Sequence, residues 1–405
     1  MQEPPFPIMK KEKRCTPMLD FNKVPVIDNH SHPFDLEKVT LDADSLAKVF
    51  FHGIGDIPTE GVKKAKLWGT TDELRYHLRH MGVVQTMVCL LSKLLGCPAE
   101  LEAVATERNR RTSENFPAYT RLLYEDAGIV GSVLDTGLPR NDPLIDLIPG
   151  KVMRLFQMDP LLDKLIEKTD SYKELLREYQ TKLDSAVKKE GFVGIKCHLA
   201  EQVGFGVESV SDAEAEANFP AAKVKDSDAF KKLYVAIFTR TLLQCQELRI
   251  PLHLHTGCTG GLWNGPISNA DPFLLVPLIR QPKFLQTKIV FLHAAYPWLQ
   301  HAAELAHSLP HVWVDMSWTT PWVSLRLVEC YKEVIGIAPL SKLMLGSGGH
   351  DTPEIPWLAV KTAKIALAEA LGDVVRLGLL TYQQAEKTAR MILHDNAARM
   401  YSSHS

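Results

Sequence analysis

Apolar residues in this chain bunch into eight short runs, with longer helical stretches between them. The runs are VPVIDNH (24–30), VGSVLDTG (130–137), KVMRLFQM (151–158), GFVGIKCH (191–198), IPLHLHTG (250–257), KIVFLHAA (288–295), HVWVDMSW (311–318) and KLMLGSGG (342–349). Their Val, Ile and Leu residues follow one another almost without polar alternation. That is the pattern of parallel strands covered on both faces. Eight strand-then-helix units predict an α/β fold, a closed (β/α)8 TIM-like barrel rather than an open doubly wound sheet.

Two stretches interrupt the repeat. About ninety largely helical residues separate the first two runs, including TDELRYHLRHMG and AELEAVATERNRRTSENFPAYTRLLYEDAG. One crossover needs only about 10–12 residues, so a helical cap over the barrel mouth is expected across about 36–128. A second, acidic and alanine-rich excursion, VESVSDAEAEANFPAAKVKDSDAF, follows strand four. Residues 1–23 read as a partly disordered leader, and 24–405 as a single barrel domain carrying the cap.

Polar residues gather where the apolar runs end. Strand one ends in His30 and His32, strand two in Asp135, and strand four carries Lys196. Strands five, six and seven end in His255, His293, and Asp315 with Ser317. In a barrel all these carboxyl ends share one face, which is where active sites of the fold lie. Residues two apart on a strand project to the same side, so His30 and His32 form a chelating pair. Neutral imidazole is the commonest ligand of a divalent transition metal. A single strand histidine is more often a hydrogen-bonded core residue; four at one mouth favour ligation by His30, His32, His255 and His293. His253 lies one layer deeper, which suits packing or support of a ligand. His198, His52, His77 and His80 are expected on loops and helix surfaces. A buried Lys196 needs a partner: it reaches the mouth, pairs with a carboxylate, or is carboxylated and bridges two metals. Trp263, Trp298, Trp318 and Trp322 stand in loops at the same face and either pack the rim or wall a substrate pocket.

Composition narrows the setting. The chain has 405 residues, 45% hydrophobic and 23% charged, with a formal net charge of -2. That balance gives no electrostatic case for nucleic acid or an acidic membrane, and leaves a small-molecule substrate as the expected partner. No run approaches the ~20 apolar residues that span a bilayer, and the N-terminus lacks a signal-peptide core. Seven cysteines, an odd number scattered through a long chain, suit reduced thiols and a cytoplasmic setting. The sequence is compatible with a homo-oligomer.

The ordered phrases GFVGIKCHLA, PLHLHTG, DPFLLVPLI, KIVFLHAAYPW, VWVDMSW, APLSKLMLGS and PEIPWLAVKTAKIAL resemble the amidohydrolase superfamily. The nearer resemblance is to the amidohydrolase-2 group, and within it to the domain that some fungal and plant proteins carry fused to a glutamine synthetase. The resemblance covers most of the chain from about Val24 onward. It implies a metal-dependent hydrolase of an amide or other C–N bond, with γ-glutamyl-type amides as substrates in the fused relatives. His30, His32 and His255 would hold a divalent ion, zinc first, with His293 ligating a second ion or polarising water. Tyr296, Trp318 and Trp263 would contact substrate. Other branches decarboxylate aromatic acids on the same metal, and a catalytically silent binding barrel is a third reading. The loop after His255, CTGGLWNG, lacks the acidic residue that relatives usually carry there. The family also uses a strand-eight aspartate as ligand and general base. Aligning Pro353 and Glu354 with the relatives places that aspartate at Gly348, which has no side chain to act with. Asp351 either replaces it as the catalytic carboxylate or caps the helix that follows.

Overall fold

The computed structural model describes residues 19–51, 71–257 and 267–402. Nine parallel strands form one sheet. In chain order they are β1 (Val26–Phe34), β2 (Ile129–Asp135), β3 (Lys151–Gln157), β4 (Gly194–Cys197) and β5 (Leu252–Leu254). They continue with β6 (Ile289–Phe291), β7 (Val312–Asp315), β8 (Leu343–Met344) and β9 (Gly349–Asp351). All eight runs read from the sequence are strands, and the fold is an α/β TIM-like barrel.

The eighth run is split. Its first half, β8, pairs with β7, and its second half, β9, pairs with β1. Between them the closure is made by main chain and side chain together: Asn29 N–H donates to Leu345 O (2.9 Å), Gly348 N–H to His30 O (2.7 Å), and the Ser347 N–H and hydroxyl to the Asp28 carboxylate (2.8 and 2.5 Å). Glycine relieves strain at 348, where φ is +63° and a Cβ would sit 3.0 Å from the Trp318 backbone nitrogen. Gly346 has a different reason: a Cβ there would lie 2.5 Å from an Asp315 carboxylate oxygen.

The segment between β1 and β2 is helical where described: α1 (Ala43–Lys48), α2 (Thr71–Arg79), α3 (Gly82–Leu95) and α4 (Leu101–Ala127). The last of these is itself a barrel helix, packed beside α5 (Glu354–Arg376), which follows β9. Arg108 on α4 locks the pair. Its guanidinium donates to Glu354 (2.7 Å), Val39 O (2.7 Å) and Lys38 O (2.9 Å), and both charged side chains are fully buried. Tyr119, a little under one helical stretch further on, donates to the same Glu354 oxygen (2.8 Å). Lys364 ties the far end, donating to Ala127 O (2.8 Å) and Asn22 O (2.9 Å). The insertion is therefore continuous with the barrel's outer core.

The chain ends in α6 (Asn396–Tyr401), whose Ala397, Met400 and Tyr401 pack against inward-facing Ile27, Val133, Met153, Leu155, Val290 and Met344. This helix closes the barrel interior. No described helix is long and apolar enough to cross a membrane.

Candidate metal centre

β1 carries both histidines across a register irregularity toward each neighbouring strand, and the rings of His30 and His32 stand with centroids 5.0 Å apart. Asp135, at the end of the neighbouring β2, joins them. One ligand atom from each of the three lies within 4.8 Å of the others. Two imidazoles and a carboxylate form a donor set suited to a zinc-type ion with open positions. The protonation states suit it too. Burial, and then the Lys196 ammonium, holds His30 well below its ordinary value. Burial lowers His32 in the same direction, opposed by Asp135, although a third of its side chain meets solvent. Both rings therefore keep a lone pair available at neutral pH. His30 Nδ1 is buried and has no hydrogen-bond partner among the described residues. A buried imidazole nitrogen left so is costly unless a ligand uses the ring, and the residues present fit a divalent ion.

Asp135 is held from behind. Gln157 Nε2 donates to one oxygen (2.8 Å) and Lys196 Nζ to the other (2.9 Å). Burial alone would raise this carboxyl, but the adjacent ammonium outweighs it and keeps the group ionised. Lys196 thus pairs with a carboxylate, one of the arrangements expected of it. Its ammonium also donates to His198 Nε2 (2.8 Å), and His198 Nδ1–H donates to Asp159 (2.9 Å), whose other oxygen accepts from the Tyr234 hydroxyl. His198 lies in the loop just after β4, where a loop histidine was expected, but it joins this network. Lys196 and His198 are two apart at a strand end, the same spacing as His30 and His32. That K-x-H spacing was the available signal. Asp159 begins a helix and Glu201 sits in the turn after β4, so neither carried one.

The expected ligands His255 and His293 form a second, adjoining pair. His255 Nε2 lies 3.2 Å from Glu201, which as a carboxylate accepts, so that nitrogen carries hydrogen. For neutral rings His255 Nδ1 is then the acceptor, and His293 Nε2–H donates to it across 3.3 Å. His293 Nδ1 in turn accepts from the Ser317 hydroxyl (3.0 Å). These tautomers are assigned from the partners. His293, Ala294 and Ala295 all have positive φ (66°, 46° and 52°), a costly left-handed run that swings the His293 ring toward His30. The His30 and His293 centroids are 5.5 Å apart, edge to face.

Below this layer Asp315 is fully buried, and desolvation pushes it up to about 6 against the hydrogen bonds from Ser317 and Asn29. His253 is fully buried, and its Nε2 meets the Tyr401 hydroxyl (2.8 Å). His77 and His80 are exposed on the cap; His52, Trp263 and the CTGGLWNG loop lie outside the described residues.

The structure does not bring Asp351 to the histidines. Its carboxylate meets His350 Nδ1 (3.0 Å) and the Lys38 ammonium. Burial would raise it, but those two partners hold it well below the usual carboxylate range. It ties the start of the cap to β9. Trp318 stacks on Trp322 (6.1 Å, 9° between planes), Trp322 on His350 (5.9 Å, 16°), and Tyr296 leans on Trp318 (5.6 Å). Trp322 Nε1–H donates to Phe50 O (2.7 Å), so this row of rings also fastens the cap to the rim.

An α/β barrel gathers these histidines and the carboxylate at its strand ends, the face where active sites of the fold lie. Residues 178–402 match the amidohydrolase family profile, more than half of the chain, and the protein belongs to that family. The chain is similar to Protein fluG of Emericella nidulans, 28% identical over 243 residues, which are 56% of this chain and 27% of the relative. The match thus spans about a quarter of that relative's length. Among solved structures, a Lactobacillus casei protein classed as a metal-dependent hydrolase superposes with a TM-score of 0.78. It is 19% identical, over 96% of this chain and 98% of that one. A glucuronate isomerase from Caulobacter crescentus superposes with a TM-score of 0.65 at 17% identity, over 94% and 92%. At such identities the likeness is one of fold.

Proposed function

We propose that this protein is a metal-dependent hydrolase of an amide or related C–N bond in a small polar substrate, with low turnover. The observation that carries the reading is the His30, His32 and Asp135 donor set, with its unpartnered buried imidazole nitrogen, at the mouth of an amidohydrolase-family barrel. His30, His32 and Asp135 would hold the ion, zinc being the best match to two nitrogens and an oxygen. When bound, such an ion supplies Lewis-acid polarisation and lowers the pKa of water.

The remaining work belongs to the chain's own side chains. Lys196 and Gln157 keep Asp135 ionised and aimed. His293, oriented by Ser317 and His255, presents an imidazole beside His30 that can hold a proton or orient the scissile group. Proton acceptance from strand eight is what this chain lacks, since Gly348 has no carboxylate. That glycine favours a second reading, a barrel that binds metal and ligand without turnover. The resemblance to domains fused to glutamine synthetase makes γ-glutamyl amides the first substrates to try.

The test is metal analysis of the purified protein, joined to amine release from a panel of γ-glutamyl and simple amides with added Zn2+. About one ion per chain with slow amine release is expected. Metal without amine release supports the binding barrel. Carbon dioxide from aromatic acids, with no amine, would replace hydrolysis by decarboxylation.

A further inference from the structure

Tyr401 stands in the last helical turn, on α6 at the closed end of the barrel, yet its hydroxyl lies at the start of a run of polar contacts that ends at the histidines. It donates to Asn29 Oδ1 (2.7 Å) and accepts from His253 Nε2–H (2.8 Å). With Asn29 Oδ1 so engaged, the amide nitrogen faces the other way and donates to Asp315 Oδ2 (2.8 Å). Asp315 Oδ1 accepts the Ser317 backbone N–H (2.8 Å), and the Ser317 hydroxyl meets His293 Nδ1 (3.0 Å). His293 Nε2 then meets His255 Nδ1 (3.3 Å). Every side chain on this path is buried. Asn29 also immediately precedes His30 on β1.

We infer that Tyr401 is a positioning residue for the histidine cluster, acting through Asn29, Asp315 and Ser317 to fix the ring orientations of His293 and His255. An amide anchored at one end only can turn over, and its oxygen would then face the Asp315 carboxylate. The tyrosine hydroxyl prevents that by claiming Asn29 Oδ1. Without it, Asp315 loses a directed donor, Ser317 loses its fixed acceptor, and His293 is left to choose between tautomers. The placement is economical: α6 already packs its apolar residues into the barrel end, so one hydroxyl on that plug reaches the layer beneath the mouth. The inference rests on the metal-centre reading only for its consequence in metal affinity; the ring orientations can be read in metal-free protein.

The experiment compares Tyr401→Phe with Tyr179→Phe in the full chain. Tyr179 is an equally buried tyrosine whose hydroxyl meets Thr241 (2.7 Å), away from the histidines. Two readouts are taken: histidine ring 15N signals of the metal-free protein, and the Zn2+ dissociation constant by competition with a chromophoric chelator. Tyr401→Phe should move the His253, His293 and His255 ring signals and, through Asn29 beside the ligand His30, weaken Zn2+ binding by less than the ~10-fold that loss of a partner bonded directly to a ligand gives. Tyr179→Phe should do neither, at a comparable loss in thermal stability. The inference is overturned if only the His253 signals move, or if both variants weaken Zn2+ binding equally. Should wild-type protein bind no Zn2+ while Tyr401→Phe still moves His293 and His255, the metal reading falls and the positioning role stands.

Discussion

Restoring a carboxylate at position 348 is the sharpest test of how this barrel works. Gly348 has φ +63°, and an added Cβ would lie 3.0 Å from the Trp318 backbone nitrogen and 3.4 Å from its Cα. A side chain in the left-handed region costs roughly 1–2 kcal/mol, with Asp and Asn at the low end because they enter it most readily. Gly348→Asp and Gly348→Asn share that cost and nearly the same shape, so both should lose about 1–2 kcal/mol in denaturant unfolding and still fold. Only the aspartate adds a base. A positioned general base typically contributes ~10²–10⁴ in rate, so with Zn2+ present amine release should rise by that order in Gly348→Asp and stay at the wild-type level in Gly348→Asn. Equal rates in the two variants would refute the reasoning. Asp351→Asn settles the alternative: its carboxylate is committed to Lys38 and His350, and only the loss of robust wild-type activity on that substitution would make it the base.

Three further outcomes are expected. The double substitution His30→Ala and His32→Ala should empty the metal site by elemental analysis; full occupancy would remove His30, His32 and Asp135 as the binding set. Arg108→Met leaves Glu354 buried without its cation and should cost about 3–5 kcal/mol in urea unfolding; a loss under about 1 kcal/mol would mean that the α4–α5 lock is not energetically important. Lys364 is lowered from 10.5 to about 8 by burial and then by Lys361, so between those values the unfolded chain binds more protons than the fold. Stability should therefore rise with pH across that window, by up to about 1.4 kcal/mol per unit, and level off below about 8, where both states carry the proton. Lys364→Met should flatten that rise in thermal unfolding, and parallel curves for the two proteins would count against it.

The barrel was legible in the sequence because parallel strands buried on both faces leave near-continuous apolar runs, and all eight runs are strands. The candidate metal-binding histidines were legible for a related reason: strand geometry favours a shared direction for an i, i+2 spacing, and His30 and His32 lie with ring centroids 5.0 Å apart. Asp135 was visible as a strand end, but its convergence with them depends on register between β1 and β2, which no local pattern encodes. Glu201 and Asp159 sit in a turn and at a helix start, where a carboxylate is also what a solvated surface or a cap would use. His198 was expected on a loop, where it lies just past β4, but nothing local marked its bond to Lys196. The Arg108–Glu354 lock joins residues 246 apart, a pairing that only the folded chain defines. The split of the eighth strand was hidden by its glycines, which read equally as strand end or loop.

That split has a consequence for how this family can change. At position 348 the barrel is sealed by an amide hydrogen, Gly348 N–H to His30 O, which nearly any amino acid could supply. The carboxylate that the family resemblance implies at the same position is a side chain. Architecture and reactivity thus occupy one residue yet are written in different atoms, so a single codon can silence or revive the chemistry while the closed barrel persists.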